Sequence, residues 1–181
     1  MKLSAKARLA KLKKIKLVLT DIDGVLTGGT IYHFVDTAGE LVEFKGIHAQ
    51  DSIALAWLAE SGVATGVISG RVSKGTDARL RILKVKHIYQ HRLDKANVFA
   101  EILKTEGLTA DQALYVGDDI PDIAVLSRAG LAAAPANSRP EAKAAAHWVT
   151  KASGGDGAFR EITEELLKAQ GLWNAILAKY K

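Results

Sequence analysis

The chain has 181 residues, 48% of them hydrophobic and 25% charged, and carries a formal net charge of +5 with no cysteine. A chain of this length buries one substantial core, so a single domain over residues 1–181 is expected. The absence of cysteine excludes disulfides and thiolate-bound zinc, and no stretch is apolar enough to span a bilayer; a cytoplasmic protein with no membrane partner is expected, its metal chemistry limited to oxygen-ligated ions such as magnesium.

The opening segment, Met1 to Lys14, is lysine-rich but lacks the continuous apolar core of a signal peptide. It reads as a helix whose leucine stripe packs on the domain while its lysines face water. Much of the net charge sits here and the rest of the chain is nearly balanced, a pattern that requires no nucleic acid and is compatible with a small anionic substrate. Lys16-Leu17-Val18-Leu19-Thr20 then reads as a short buried strand running into Asp21-Ile22-Asp23-Gly24. Side chains two apart on an extended segment project to one side, so Asp21 and Asp23 converge, and Gly24 lets the chain turn. Neighbouring carboxylates repel unless a cation, a positive side chain or a shared proton relieves them, and a magnesium ion is the economical answer.

Residues 30–44 read as a hairpin turning at Asp36-Thr37-Ala38-Gly39, an insertion at about 29–45. Ile31, Tyr32, Phe34, Val35, Val42 and Phe44 give it apolar groups on both faces, where a monomer would keep one face wet. Helices over 51–61, 74–83, 95–106, 120–128 and 140–146 then alternate with strands over 63–69, 86–89, 113–116, 131–134 and 148–150. One amphipathic helix over 158–178 closes the chain. The alternation predicts an α/β fold, a Rossmann-like doubly wound parallel sheet with a β-hairpin insertion and no cap domain.

Ligands of such sheets sit at the carboxyl ends of the strands. Three polar clusters fall there: Asp21 with Asp23, Ser69-Gly70-Arg71, and Gly117-Asp118-Asp119 followed by Asp122. Taken singly, Ser69 is ordinary turn chemistry, Asp122 a helix-dipole acid and Lys95 a solvated lysine at a helix start. Brought to one crevice, the acids form a cage that needs a metal, while Ser69 and its neighbouring amides can grip phosphate oxygens.

Asp-x-Asp-Gly-x-x-Thr at 21–27, then Ser69, Lys95 and Gly-Asp-Asp at 117–119, resembles the four ordered motifs of the haloacid dehalogenase superfamily of phosphotransferases. The resemblance implies that Asp21 attacks phosphorus to form an aspartyl phosphate, and that Asp23 acts as acid and then base while its backbone carbonyl ligates magnesium. It implies that Asp118 completes the metal site with Asp21 and Asp23, and that Asp119 and Asp122 orient metal-bound water and Lys95. Ser69 and Lys95 would neutralise the phosphoryl oxygens. Thr27 is placed on the substrate side as a support of the loop.

Nearly the whole chain resembles the 3-deoxy-D-manno-octulosonate 8-phosphate phosphatase family, through Lys14-Ile15-Lys16-Leu17, the 21–27 motif, Phe44-Lys45-Gly46-Ile47-His48-Ala49-Gln50-Asp51 and Gly154-Gly155-Asp156-Gly157-Ala158-Phe159-Arg160-Glu161. The resemblance implies a sugar-acid phosphate as substrate and a homotetramer in which the hairpin and chain terminus of one subunit shape a neighbour's site. Asp156 stands where the family often has Arg, His91 where it often has Gly, and Gly28 where Asp is common. The first of these keeps a nine-carbon ulosonic acid 9-phosphate open as the substrate. Charge matching to a substrate carboxylate selects Arg71 first and then Lys74, with Arg79 and Arg81 as further basic residues of the same helix. A receiver domain of two-component signalling gathers similar groups but phosphorylates an aspartate on a later strand, and a noncatalytic phosphatase-like tetramerisation module would have lost motif residues that are all present here.

Overall fold

The computed structural model describes residues 2–181. Helix α1 (Ala5–Leu12) leads to strand β1 (Leu17–Thr20), and the hairpin β2 (Tyr32–Val35) and β3 (Leu41–Phe44) follows. Then come α2 (Ala49–Glu60), β4 (Ala64–Ile68), α3 (Lys74–Ile82), β5 (His87–Tyr89), α4 (Lys95–Glu106) and β6 (Ala113–Val116). The chain ends with α5 (Ile123–Leu126), β7 (Leu131–Ala134), α6 (Pro140–Ala145), β8 (Trp148–Val149), α7 (Ala158–Ala169) and α8 (Trp173–Ala178). Six strands form one parallel sheet in the order β5-β4-β1-β6-β7-β8, so β1 is central and the winding reverses beside it. Among the described residues no helix is long and apolar enough to cross a membrane.

Alternation along the strands splits the core into two layers. Val18, Leu114 and Val116 face a layer with Leu12 of α1, Leu55 and Leu58 of α2, Leu80 of α3 and Phe159, Ile162 and Leu166 of α7. Leu17, Leu19 and Tyr115 face the other, with Val98, Phe99 and Ile102 of α4, Val125 and Leu126 of α5 and Ala142 of α6. Both faces of β1 are therefore dry, as a central parallel strand requires.

Three expectations are corrected. The terminal helix breaks after Ala169, because Gly171 takes a left-handed φ of 74° and Leu172 donates its N–H to the carbonyl of Leu167, ending α7. The chain then folds α8 back onto its own α2: Trp173 meets Trp57 edge-on at 5.5 Å, and Trp57 Nε1 donates to the Tyr180 hydroxyl at 3.1 Å. The helix expected over 120–128 is a 3₁₀ turn, Ile120–Asp122, followed by the single turn of α5, since Pro121 and the side chain of Asp122 impose a tight start. The leucine stripe of α1 buries only Leu12, while Leu9 stays half exposed.

The hairpin stands apart from the main sheet as a two-stranded ladder pairing Tyr32 with Phe44 and Val35 with Leu41. Asp36 Oδ1 accepts the N–H groups of Ala38 and Glu40 and so shapes its turn. Tyr32, Phe34 and Phe44 share one face, with Tyr32 and Phe44 stacked at 5.2 Å and all three about half exposed. The other face carries His33, Val35, Leu41 and Glu43.

Asp51, fully buried in the first turn of α2, accepts the N–H of Gly157 at 3.2 Å and of Arg160 at 2.8 Å, so a side chain far away in sequence caps α7. Replacing Asp51 by Ala strands those donors away from water. Urea unfolding of Asp51→Ala should show a loss of about 2 kcal/mol, and an unchanged midpoint would remove the cap from the account.

Candidate active site

The loop after β1 is held from below and opened from above. Ile22, Val25 and Leu26 are buried, and Thr27 donates its N–H to Ile22 O at 3.0 Å, so the apolar members of the motif root the turn while Asp21 and Asp23 face the crevice. Gly24 has a φ of 95°, and a Cβ there would lie 2.0 Å from Asp118 Oδ2, so position 24 must be glycine for that carboxylate to dock. Gly154 packs equally close from the other side: its Cβ would fall 1.7 Å from the carbonyl oxygen of Gly24. Gly155 N–H adds a bond to Val25 O at 2.9 Å. The Gly-Gly pair late in the chain is thus a cradle for the first loop.

Lys95, the first residue of α4, points its ammonium into the crevice, 2.7 Å from Asp122 Oδ1 and 2.9 Å from Asp21 Oδ1. Asp122 is fully buried and fully partnered. Its Oδ1 also accepts the Tyr115 hydroxyl at 2.6 Å, and its Oδ2 accepts the N–H groups of Asp118 and Asp119 at 3.0 and 3.2 Å. Ser69, at the tip of β4, uses its oxygen to accept Arg71 N–H at 3.2 Å and keeps its hydroxyl proton to donate. These groups, with Gly70, Arg71, Leu93, Asp119 and Pro121, line an open cavity of about 260 Å³. A larger depression of about 810 Å³ lies at the opposite, amino-terminal ends of the strands, walled by Lys13, Lys14, Lys16 and Gln112, and no cluster of acids converges there.

Burial pushes the Asp21 carboxyl up, to about 6, against the pull of Lys95. Burial also pushes Asp118 up, to about 7, with help from the negative charges of Asp21 and Asp122. For Lys95 burial opposes the charge, but the two carboxylates overcome it and hold the ammonium above its ordinary value. Asp21, Asp118 and Asp122 each place an oxygen within 4.8 Å of the others. Since all of Asp122's hydrogen-bonding capacity toward the site is engaged, the available donors are Asp21 and Asp118, and Asp118 Oδ1 is buried with no hydrogen-bond partner. Hard oxygen donors, crowded negative charge and an orphaned buried oxygen fit a magnesium ion.

The structure brings Asp21, Asp23, Ser69, Arg71, Lys95, Asp119 and Asp122 to one crevice. Asp119 bonds the N–H of Ile120 at 2.7 Å, and it is Asp122 that meets Lys95. Thr27 is buried in the loop, its hydroxyl 3.3 Å from Ile22 O and 3.5 Å from Asp23 Oδ1. Lys74 lies in a separate depression with Val72, Ser73 and Asp77, and Arg79 in another with Lys45 and Thr76. Arg81 pairs with Asp77 on the surface of α3.

Sequence reasoning missed two hairpin residues. Lys45 donates to both oxygens of Asp23, at 2.7 and 3.0 Å, and Glu43 Oε2 accepts Arg71 Nη2 at 2.7 Å. Charge at the end of an apolar strand was the only signal available for Glu43, while Lys45 also lies in the 44–51 segment that carries the family resemblance. Two departures from the family pattern also find their places. His91 takes a left-handed φ of 58°, a conformation natural to glycine. Asp156 is largely exposed, 4.0 Å from His48 Nε2, and does not line the crevice.

Residues 82–162 match the sequence family described as haloacid dehalogenase-like hydrolase. The 3-deoxy-D-manno-octulosonate 8-phosphate phosphatase of Haemophilus influenzae is 35% identical over 161 residues, covering 89% of this chain and 87% of that protein. The Escherichia coli K12 enzyme of the same name is 34% identical over 163 residues, covering 90% and 85%. A crystal structure of the Moraxella catarrhalis 3-deoxy-D-manno-octulosonate 8-phosphate phosphatase, in complex with magnesium, phosphate and KDO, superposes with a TM-score of 0.92 at 32% identity, covering 98% of this chain and 100% of that one.

The raised carboxyls give the metal-free protein a defined pH response. Folding lifts Asp21 and Asp118 from 3.8 to about 6 and about 7, so their protonated forms favour the fold; this contribution is complete below about pH 3.8 and is lost as pH rises through 7. A divalent cation favours the ionised pair instead. The rise in Tm on adding magnesium should therefore be larger at about pH 7.5 than at about pH 5.5. Equal rises at both values, read by thermal scanning, would contradict the assignment.

Proposed function

The chain belongs to the 3-deoxy-D-manno-octulosonate 8-phosphate phosphatase family of haloacid dehalogenase-like hydrolases, and from that premise we propose that it hydrolyses a sugar-acid phosphate monoester with magnesium, 3-deoxy-D-manno-octulosonate 8-phosphate being the first choice. The observation that carries the reading is the buried chain Asp122–Lys95–Asp21 set beside the unpartnered oxygen of Asp118. It offers a nucleophile, a fixed cation and a metal seat at one strand end.

Asp21 attacks phosphorus as the ester oxygen departs, and Asp23 gives that oxygen a proton, leaving the free sugar acid and an aspartyl phosphate. Asp23 then takes a proton from water, which attacks the same phosphorus and frees Asp21 and inorganic phosphate. Lys95 and the Ser69 hydroxyl stabilise the phosphoryl oxygens in both steps, and Lys45 holds Asp23 in place between them. Magnesium held by Asp21, Asp118 and the backbone of Asp23 would supply further positive charge to the phosphoryl group. Asp156 lies outside the crevice, which weakens the reason for preferring a nine-carbon ester. The protein works as a homotetramer through the hairpin, whose aromatic face of Tyr32, Phe34 and Phe44 is too apolar to stay wet.

Phosphate release from a panel of sugar phosphates and p-nitrophenyl phosphate, with and without magnesium, tests the activity. Asp21→Asn keeps the shape and removes the nucleophile; turnover should fall by roughly several powers of ten with the fold unchanged by circular dichroism. Substantial residual turnover would defeat the mechanism. Phe34→Asp should lower the mass measured by light scattering toward that of a smaller assembly, whereas an unchanged mass would place the interface elsewhere.

A further inference from the structure

We propose that Glu43 is an internal competitor for the substrate's carboxylate: it occupies Arg71 in the free protein, and an arriving sugar acid takes Arg71 from it, so that Glu43 sets the affinity for acid-bearing esters. The inference rests on the reading of the substrate as a sugar-acid phosphate.

Arg71 is anchored at its base, where its N–H meets Ser69 Oγ at 3.2 Å, and it lines the crevice beside the proposed phosphate groups. Its guanidinium is held by one carboxylate, Glu43 Oε2 at 2.7 Å, reaching in from the hairpin. That carboxylate is ion-paired on both oxygens but hydrogen-bonded on only one. Its Oε1 is buried without a hydrogen-bond partner, since the nearby Lys45 ammonium, 3.3 Å away, directs its bonds to Asp23. His33 adds only a longer contact, 3.7 Å to Oε2. Arg71 is half exposed and Glu43 one-fifth exposed, so the pair is wet enough to exchange.

A guanidinium presents the same fork to any carboxylate. A sugar acid whose phosphate sits against Ser69 and Lys95 brings its own carboxylate to a cation already engaged by a like one. Either Glu43 yields, or two negative groups crowd one arginine and binding weakens. Glu43 therefore opposes acid-bearing substrates and has no such quarrel with a phosphate ester that lacks a carboxylate.

The test compares KM for 3-deoxy-D-manno-octulosonate 8-phosphate and for p-nitrophenyl phosphate in the native protein, Glu43→Gln, Arg71→Ala and the double variant. Glu43→Gln should lower the ratio of the first KM to the second by roughly tenfold, and the double variant should lose that change because it acts through Arg71. An unchanged or raised ratio, or a change that persists without Arg71, would overturn the proposal. Should the amide disturb the hairpin, Glu43→Ala, which removes the carboxylate outright, must shift the ratio in the same direction. If the native protein does not turn over the sugar-acid ester, the substrate reading falls by itself. The competitor is then judged by calorimetry with phosphoglycolate, which Glu43→Gln should bind more tightly than the native protein; equal affinities would refute it.

Discussion

A lysine ammonium buried between two carboxyl groups keeps its charge because both lie close to it, and the crevice of this protein depends on that arrangement. Lys95 lies between Asp21 and Asp122, each within 2.9 Å. A buried charge stripped of all its partners costs about 3–5 kcal/mol, and with two carboxyl groups beside it the ammonium keeps one when the other is lost. Asp122 is prevented from drifting by Tyr115 and two backbone N–H groups, so the lysine is fixed through a carboxylate that has no capacity left for other work. Asp21 is left with one oxygen free of the lysine, and Asp118 with an oxygen that has no partner at all. The site is rigid where it must orient charge and unsatisfied where a ligand must come.

That electrostatic arrangement exists because the parallel sheet delivers it. β1, β4 and β6 lie side by side, so residues far apart in the chain emerge together at the carboxyl ends. The late Gly154-Gly155 segment closes against the first loop at backbone distance, which couples the end of the chain to the loop that carries Asp21 and Asp23. Asp51 performs a related service by capping α7, the helix that follows the glycine cradle. Fold stability and site geometry therefore share residues in the carboxyl-terminal third.

The hairpin has two kinds of surface, and each follows from strand alternation. Its aromatic face, Tyr32, Phe34 and Phe44, looks outward. Glu43 and Lys45, at its base, reach the crevice, joining Arg71 and Asp23 in one line of opposite charges. An insertion between the first two strands of the sheet thus contributes to the crevice of the same chain, while the carboxyl terminus is fastened to α2 by Trp57, Trp173 and Tyr180.

The sequence by itself determined the strand and helix order, the parallel sheet and the crevice at its carboxyl ends, because these rest on local periodicity and on the short spacing of Asp21, Asp23, Asp118 and Asp119. Strand 113–116 and helix 95–106 coincide with their expected bounds for the same reason. The break at Gly171 was written in a single glycine inside an otherwise regular amphipathic pattern, too small a signal against the stripe on either side. Only the tertiary structure decided that Asp122 and not Asp119 holds Lys95, that Lys45 sits on Asp23, and that Glu43 engages Arg71, since each pairs residues more than twenty positions apart. A charge in a sequence declares its sign; which opposite charge it meets is set by how the backbone closes around it.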